Sequence, residues 1–189
     1  VVRSAGLAPS VVDVDSFAFL NCFEIGYKPA REECAALLNV GAEITNINIY
    51  DRGTSRFSRD ISVAGNAITQ AIAQKTGVPW SKAEELKMGL GAPQSEASEE
   101  SAEEESSLIS SIRGTVERMT GSDLGDDSTE AVAAKCLRNT LVSLVHEVRR
   151  SLQFCETNNG VKVQRVLLGG GTARMPGLGN FLGAELEIP

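Results

Sequence analysis

Leu38-Asn39-Val40-Gly41-Ala42-Glu43-Ile44-Thr45-Asn46-Ile47-Asn48-Ile49-Tyr50 is the stretch on which the reading of this chain turns. It joins an apolar run, residues 35–40, to an alternating run, residues 44–50. In the second run Thr45, Ile47 and Ile49 share one face and Asn46 and Asn48 the other, because successive side chains of a strand point to opposite sides. A third strand-like run, residues 56–63, follows closely. The joins Gly41-Ala42-Glu43 and Asp51-Arg52-Gly53 have hairpin length, each with a glycine where positive φ is needed. The expectation is a three-stranded antiparallel meander.

Upstream, the β-branched residues 11–14 read as a short buried strand, and Ser16 as the N-cap of a helix over residues 17–25. Downstream, Gly65 opens a helix with Ile68, Ala71 and Ile72 on one face, ended by Gly77-Val78-Pro79. Ser81-x-x-Glu84 has the spacing of a capping box for a short helix through Lys87. Residues 89–107 change character: Glu96, Glu99, Glu100, Glu103, Glu104 and Glu105 lie among Ser and Ala with no basic residue, which reads as a solvated, disordered insertion.

The strongest helical pattern runs over residues 128–156, where Leu137, Leu141, Leu144, Val145, Val148, Leu152 and Cys155 make one stripe. Asp127-x-x-Glu130 caps its start and Asn158-Asn159-Gly160 stops it. Residues 161–168 read as a buried strand running into Gly169-Gly170-Gly171-Thr172, and Pro176-Gly177 opens a last helix through Leu186. Strands and helices mixed in this order give an α/β class.

Composition narrows the function. The 189 residues are 42% hydrophobic and 23% charged, which excludes fully disordered and collagen-like classes. A net charge of −7 argues against nucleic acid as the main partner. Cys22, Cys34, Cys136 and Cys155 form no C-x-x-C pair, so reduced core thiols in a cytoplasmic protein are expected rather than a zinc site or a disulfide framework. No lysine follows a glycine, which excludes a P-loop, and Arg174 breaks the G-x-G-x-x-G pattern at the Gly169 cluster. His146, the lone histidine, sits beside the helical stripe and reads as a surface or boundary residue; no catalytic or metal-binding set is assigned.

Two glycine features remain. At Asn39-Val40-Gly41, with Thr45 and Asn46 across the hairpin, a strand end can aim backbone N–H groups and a hydroxyl at a phosphate; the plain alternative is a hairpin turn. At Gly169, Gly170 and Gly171 a flat ligand can lie against bare backbone, next to a helix N-terminus; the plain alternative is a turn of unusual φ and ψ. Both are strand ends that can meet at one edge of a sheet, where open α/β folds bind ligands. Glu147, Arg149 and Arg150 lie off the helical stripe, on a solvated face or beside an adenosine.

These residues resemble the PilM family of type IV pilus machines. The similarity is carried by residues 5–18, by residues 38–49, by Phe57-Ser58-Arg59-Asp60-Ile61 with Gly65, Asn66, Ile68 and Thr69, by Glu84-Glu85-Leu86-Lys87, by residues 147–154, and by residues 167–173 with Met175-Pro176-Gly177-Leu178. It implies an actin-like (ribonuclease H-like) fold similar to FtsA, with nucleotide between two halves. It places Asn39, Gly41 and Thr45 in the second phosphate segment and Gly65 in a connecting segment. It places Gly169, Gly170 and Gly171 in the adenosine turn, with Glu147 and Arg150 on the neighbouring helix. It implies ATP or ADP with Mg²⁺ in the intact parent. Asn39 stands where many actin-like enzymes carry an acid, and an amide is neither a general base nor a good Mg²⁺ partner, so hydrolysis is expected to be weak or absent.

The resemblance further implies a cytoplasmic scaffold, peripheral to the inner membrane, that supports twitching motility. Its partners would be the cytoplasmic tail of PilN, bound through a first lobe, and other platform proteins and the motor. The alternatives are an active ATPase of the actin, sugar-kinase or chaperone class, and an interaction module with a vestigial pocket similar to GspL. The chain reads as a piece of something longer, since it opens at Val1 and stops at Glu187-Ile188-Pro189 where a strand can begin, and the resemblance implies that the piece is the second lobe. The expected division is residues 1–63 (strand, helix and meander), 64–127 (a smaller helical subdomain with the insertion) and 128–189 (long helix, strand and glycine turn).

Overall fold

The computed structural model describes residues 1–94 and 128–188. Its centre is the meander: β1 (Cys34–Val40), β2 (Thr45–Asp51) and β3 (Thr54–Ile61), antiparallel throughout. The Asp51-to-Thr54 hairpin closes through Arg52 and Gly53, both at positive φ (52° and 81°), the two-residue turn whose twist matches that of paired strands. The other hairpin differs from expectation. Gly41 is not at positive φ; it is bare because a Cβ there would lie 2.8 Å from the Ile44 carbonyl oxygen.

α1 (Asp15–Tyr27) precedes β1 and covers one face of the sheet; after β3, α2 (Gly65–Thr76), α3 (Trp80–Leu90) and the long α4 (Thr129–Asn159) lie on the other. β4 (Arg165–Gly169) then pairs with β1 in parallel, and α5 (Leu178–Leu186) follows. The order β3-β2-β1-β4 makes a mixed sheet flanked by helices. The parallel pair needs a long crossover, which α2 to α4 supply.

β1 is central and buried on both sides, so its alternation divides two cores. Ala36, Leu38 and Val40 join Ile47 and Ile49 under α2, α4 and α5, with the stripe Leu137, Leu141, Leu144, Val145, Val148 and Cys155 packed on them. Ala35 and Leu37 face Phe23 and Tyr50 beneath α1. The faces of β2 are as its alternation predicts: Ile47 and Ile49 enter the larger core, while the buried Asn48 donates to the Ser16 carbonyl and accepts from Ser55. Ser128 caps α4 by accepting the Ala131 N–H, and Gly160 ends it in the left-handed conformation. Asp127 and most of the acidic stretch lie outside the described residues.

Three expectations are corrected. Residues 11–14 form no strand; Val11 and Val12 are 80% and 91% exposed and pair with nothing in the sheet, and β-branched preference has no force without a neighbouring strand to pack on. Ser16 does not cap α1, whose N-cap is Val14, but is buried inside its first turn. The strand read from residue 161 starts at Arg165, because Gln164 turns its side chain to accept the Cys34 N–H and so replaces a ladder bond. Among the described residues no helix is long and apolar enough to cross a membrane. The cysteines are free, and Cys22 is exposed rather than in a core.

Candidate functional site

Parallel pairing sets Asn39 beside Gly169, and antiparallel pairing sets it opposite Asn46, so the ends of β1, β2 and β4 lie side by side. The two glycine clusters therefore meet, as their positions at strand ends suggested. Each of the three consecutive glycines is bare for a different reason. A Cβ on Gly169 would lie 2.7 Å from the ring of Phe19, so α1 fills that space. Gly170 sits at φ 90°, and a Cβ there would be 2.4 Å from the Val40 carbonyl oxygen and 2.6 Å from Asn39 Oδ1. A Cβ on Gly171 would meet nothing within 4 Å, so packing does not account for its bareness.

Gly65, first residue of α2, is drawn to the same point. Its N–H donates to the Gly41 carbonyl oxygen (3.1 Å), and the next N–H, of Asn66, donates to that of Ala42 (2.7 Å). Thr172, just past the triple glycine, donates its hydroxyl to the same Gly41 oxygen (2.8 Å). A Cβ on Gly65 would stand 2.3 Å from Thr172 Oγ1. Gly41, Gly65 and the Gly170 turn thus converge on one carbonyl.

A buried cation stands behind this junction. Lys87, 4% exposed, donates to the Gly65 carbonyl (3.4 Å), to Thr69 Oγ1 (3.1 Å) and to Glu84 (2.7 Å). Desolvation pushes the Glu84 carboxyl up, but hydrogen bonds from Lys87 and Thr69 and the Lys87 charge outweigh it and hold the group below its ordinary value. The capping-box reading of Ser81-x-x-Glu84 is corrected here: α3 starts at Trp80 with no side-chain cap, and Glu84 serves Lys87 and Thr69. The overlooked signal was a lysine on the buried face of α3 together with Ala83.

Other expected site residues lie elsewhere. Thr45 is fully buried and donates to the Val63 carbonyl (2.7 Å), bracing the hairpin. Glu147 is ion-paired with Arg59 on β3, the edge opposite β4, three strand spacings or about 14 Å across the sheet. Arg150 is exposed, and the adjacent Arg149 donates to the Glu185 carbonyl of α5.

An open cavity of 580 Å³ borders Asn39 and the Gly41 turn, with Asp13, Asp15, Glu43 and Asp60 also on its wall. A phosphate beside four carboxylates needs a counter-cation. Among the described residues, however, no group of three or more acidic, histidine or cysteine side chains is arranged to hold a metal. A bigger cavity of 790 Å³ lies along the outer edge of β4. It is away from the junction, and its one cation, Arg165, is already paired with Glu33 and lies 5.6 Å from the centre of the Phe23 ring.

The profile of the family described as type IV pilus assembly protein PilM matches residues 1–122. No curated protein matches the chain. Among solved structures, a chain of the PilM-PilN type IV pilus biogenesis complex is 25% identical with a TM-score of 0.70, over 98% of this chain and 43% of that one. The ethanolamine utilization protein EutJ from Carboxydothermus hydrogenoformans is 15% identical with a TM-score of 0.60, over 99% of this chain and 52% of that one. MreB5 of Spiroplasma citri bound to ADP is 14% identical with a TM-score of 0.61, over 99% of this chain and 56% of that one. The fold is actin-like, and the chain spans about half the length of the solved structures it matches.

Proposed function

The chain belongs to the type IV pilus assembly protein PilM family, and from that premise we propose that it is the second, nucleotide-facing lobe of a cytoplasmic scaffold for pilus assembly. The observation that carries the reading is the convergence of the Gly41 turn, Gly65 and the Gly170 turn on one carbonyl oxygen, with Gly171 left open beside them. Three segments held this closely make a preorganised wall, which lowers the cost of fixing a ligand.

The donor set suits one side of a nucleotide. Gly171 leaves its backbone accessible to a flat base or ribose and Asn39 offers an amide at the phosphate side, while Lys87, its N–H groups spent on Gly65, Thr69 and Glu84, braces the junction from behind. ADP is the ligand bound to MreB5, which shares the fold. In the proposed whole protein a first lobe completes the pocket and carries Mg²⁺ contacts, and nucleotide shifts the angle between lobes and so the affinity for a PilN-like tail. The Asn39 amide cannot take a proton from water, which favours binding over hydrolysis. Glu147, Arg150 and Thr45 are left out of this site, on the contacts described above.

The test is calorimetric titration of the full-length protein with MgATP, followed by titration of the PilN cytoplasmic peptide with and without nucleotide. The reading expects nucleotide to bind and to change peptide affinity at least fivefold, the lower range of allosteric coupling. Absence of both effects would leave the vestigial-pocket alternative in its place.

A further inference from the structure

We infer that Thr172 is a positioning residue, whose hydroxyl ties the Gly170 turn to the Gly41 turn and, through Gly65, to Lys87, so that a ligand touching either turn is registered by α2 and α3. For the identity of that ligand the inference rests on the nucleotide reading above; the tie itself does not.

The connection is continuous. Thr172, 7% exposed, donates to the Gly41 oxygen at 2.8 Å, and Gly65 N–H donates to the same oxygen at 3.1 Å. A carbonyl oxygen has two lone pairs, so both are engaged. The far side of the Gly65 residue continues the chain: its carbonyl accepts from Lys87 Nζ at 3.4 Å, and Lys87 also donates to Thr69 Oγ1 and to Glu84, which accepts the Thr69 hydroxyl in turn. Displacing the Gly41 oxygen stretches two bonds at once. No side chain can cushion the movement, because Gly65 has no room for a Cβ against Thr172. A hydroxyl that merely satisfied itself in a core would need only one acceptor of any kind. This one meets the single atom on which three segments converge.

The experiment is amide hydrogen exchange on the full-length protein as wild type, Thr172→Val and Thr172→Ser, with and without MgADP. Thr172→Val keeps the shape and removes the donor; it is expected to speed exchange of the Gly65 and Asn66 amides about tenfold, the scale of one neutral hydrogen bond. The Ile47 and Ile49 amides of the meander should stay within about twofold of wild type, since their ladder bonds are untouched. Thr172→Ser should match wild type. MgADP should slow Gly65 and Asn66 in wild type and Thr172→Ser and leave them unchanged in Thr172→Val.

A uniform rise across the meander, or no rise at Gly65 and Asn66, would overturn the inference by making Thr172 an ordinary core residue. So would an undiminished MgADP response in Thr172→Val. If MgADP affects nothing even in wild type, nucleotide binding at this junction falls, while exchange without ligand still decides the tie. If Thr172→Val does not fold, Gly65→Ala displaces the hydroxyl from the other side and must produce the same local rise.

Discussion

Two adjacent glycines should respond to alanine in opposite ways. Gly170 is at φ 90°, where a Cβ would fall 2.4 Å from the Val40 carbonyl oxygen and 2.7 Å from its carbon. The backbone conformation alone costs about 1–2 kcal/mol for a residue with a side chain. Moving two rigid backbone segments apart adds about 1–3 kcal/mol, the range for forcing extra atoms into a packed site. Gly170→Ala should therefore destabilise by about 2–5 kcal/mol, a large part of the ~5–15 kcal/mol that holds a domain of this size together. Gly171 has helical angles, φ −64° and ψ −41°, and open space at the Cβ position. Gly171→Ala should be neutral or stabilise by about 0.4–1 kcal/mol, by narrowing the unfolded ensemble. Urea unfolding followed by circular dichroism measures both, with the m-value checking that the unfolded state is unchanged. Equal losses in the two variants, or a neutral Gly170→Ala, would refute the reasoning. The same pair reports on function: if Gly171 is bare for a ligand, Gly171→Ala keeps its stability yet weakens ADP binding about tenfold or more, the effect of a ~1.4 kcal/mol clash.

Three further outcomes follow from the contacts. Glu84 is held below its ordinary carboxylate value in the folded state, so its contribution to stability is complete above the unfolded value and is lost as pH falls through the lower folded value; Glu84→Gln should flatten the acid limb of the stability profile measured by urea unfolding from pH 7 down to about 3. Burial, then the nearby Asp51 charge, pushes the Cys34 thiol up to about 11, and Cys155 is raised by burial, so thiol labelling of native protein at about pH 8 should modify exposed Cys22 first and reach Cys34 and Cys155 only on unfolding. The Arg59–Glu147 pair, each side chain about one-third exposed, should show a double-mutant coupling of no more than about 1 kcal/mol, and Arg150→Ala should leave ADP affinity of the full-length protein within about twofold of wild type; a tenfold loss would restore the adenosine role that the resemblance gave these residues.

The elements that could be read from sequence are those whose pattern carries its own partner. The alternation of Thr45, Ile47 and Ile49 against Asn46 and Asn48 needs two faces and finds them, since both sides of the sheet are covered. The α4 stripe needs one face and finds it against α2, α3 and the sheet on the β2–β3 side. Residues 11–14 show the limit: the same β-branched chemistry makes no strand where no neighbour stands beside it. The contribution of residue type is local, whereas pairing is a property of two segments.

The site follows the same division, and Lys87 against Glu147 brings it out. Both are charged residues on helices, and both have a counter-ion, Glu84 and Arg59 respectively. Spacing along the helix placed Glu147 off the buried stripe, correctly, but could not say which strand lay beneath it, and the strand proved to be β3 on the far edge. Lys87 sits on the buried face of its own helix, where an unpaired lysine is too costly to persist and must find several acceptors. A buried lysine therefore points to a polar junction whose members are spread along the chain, and here those members are Gly65, Thr69 and Glu84. The glycines add the complementary constraint, because Gly65 and Gly170 are bare only where another backbone or hydroxyl is in contact. Charge in a core and absence of side chain at a strand end are separate signals, and their meeting at Gly65, whose carbonyl accepts from Lys87 and whose N–H donates to the Gly41 carbonyl, is what makes this end of the sheet the place to look for a ligand.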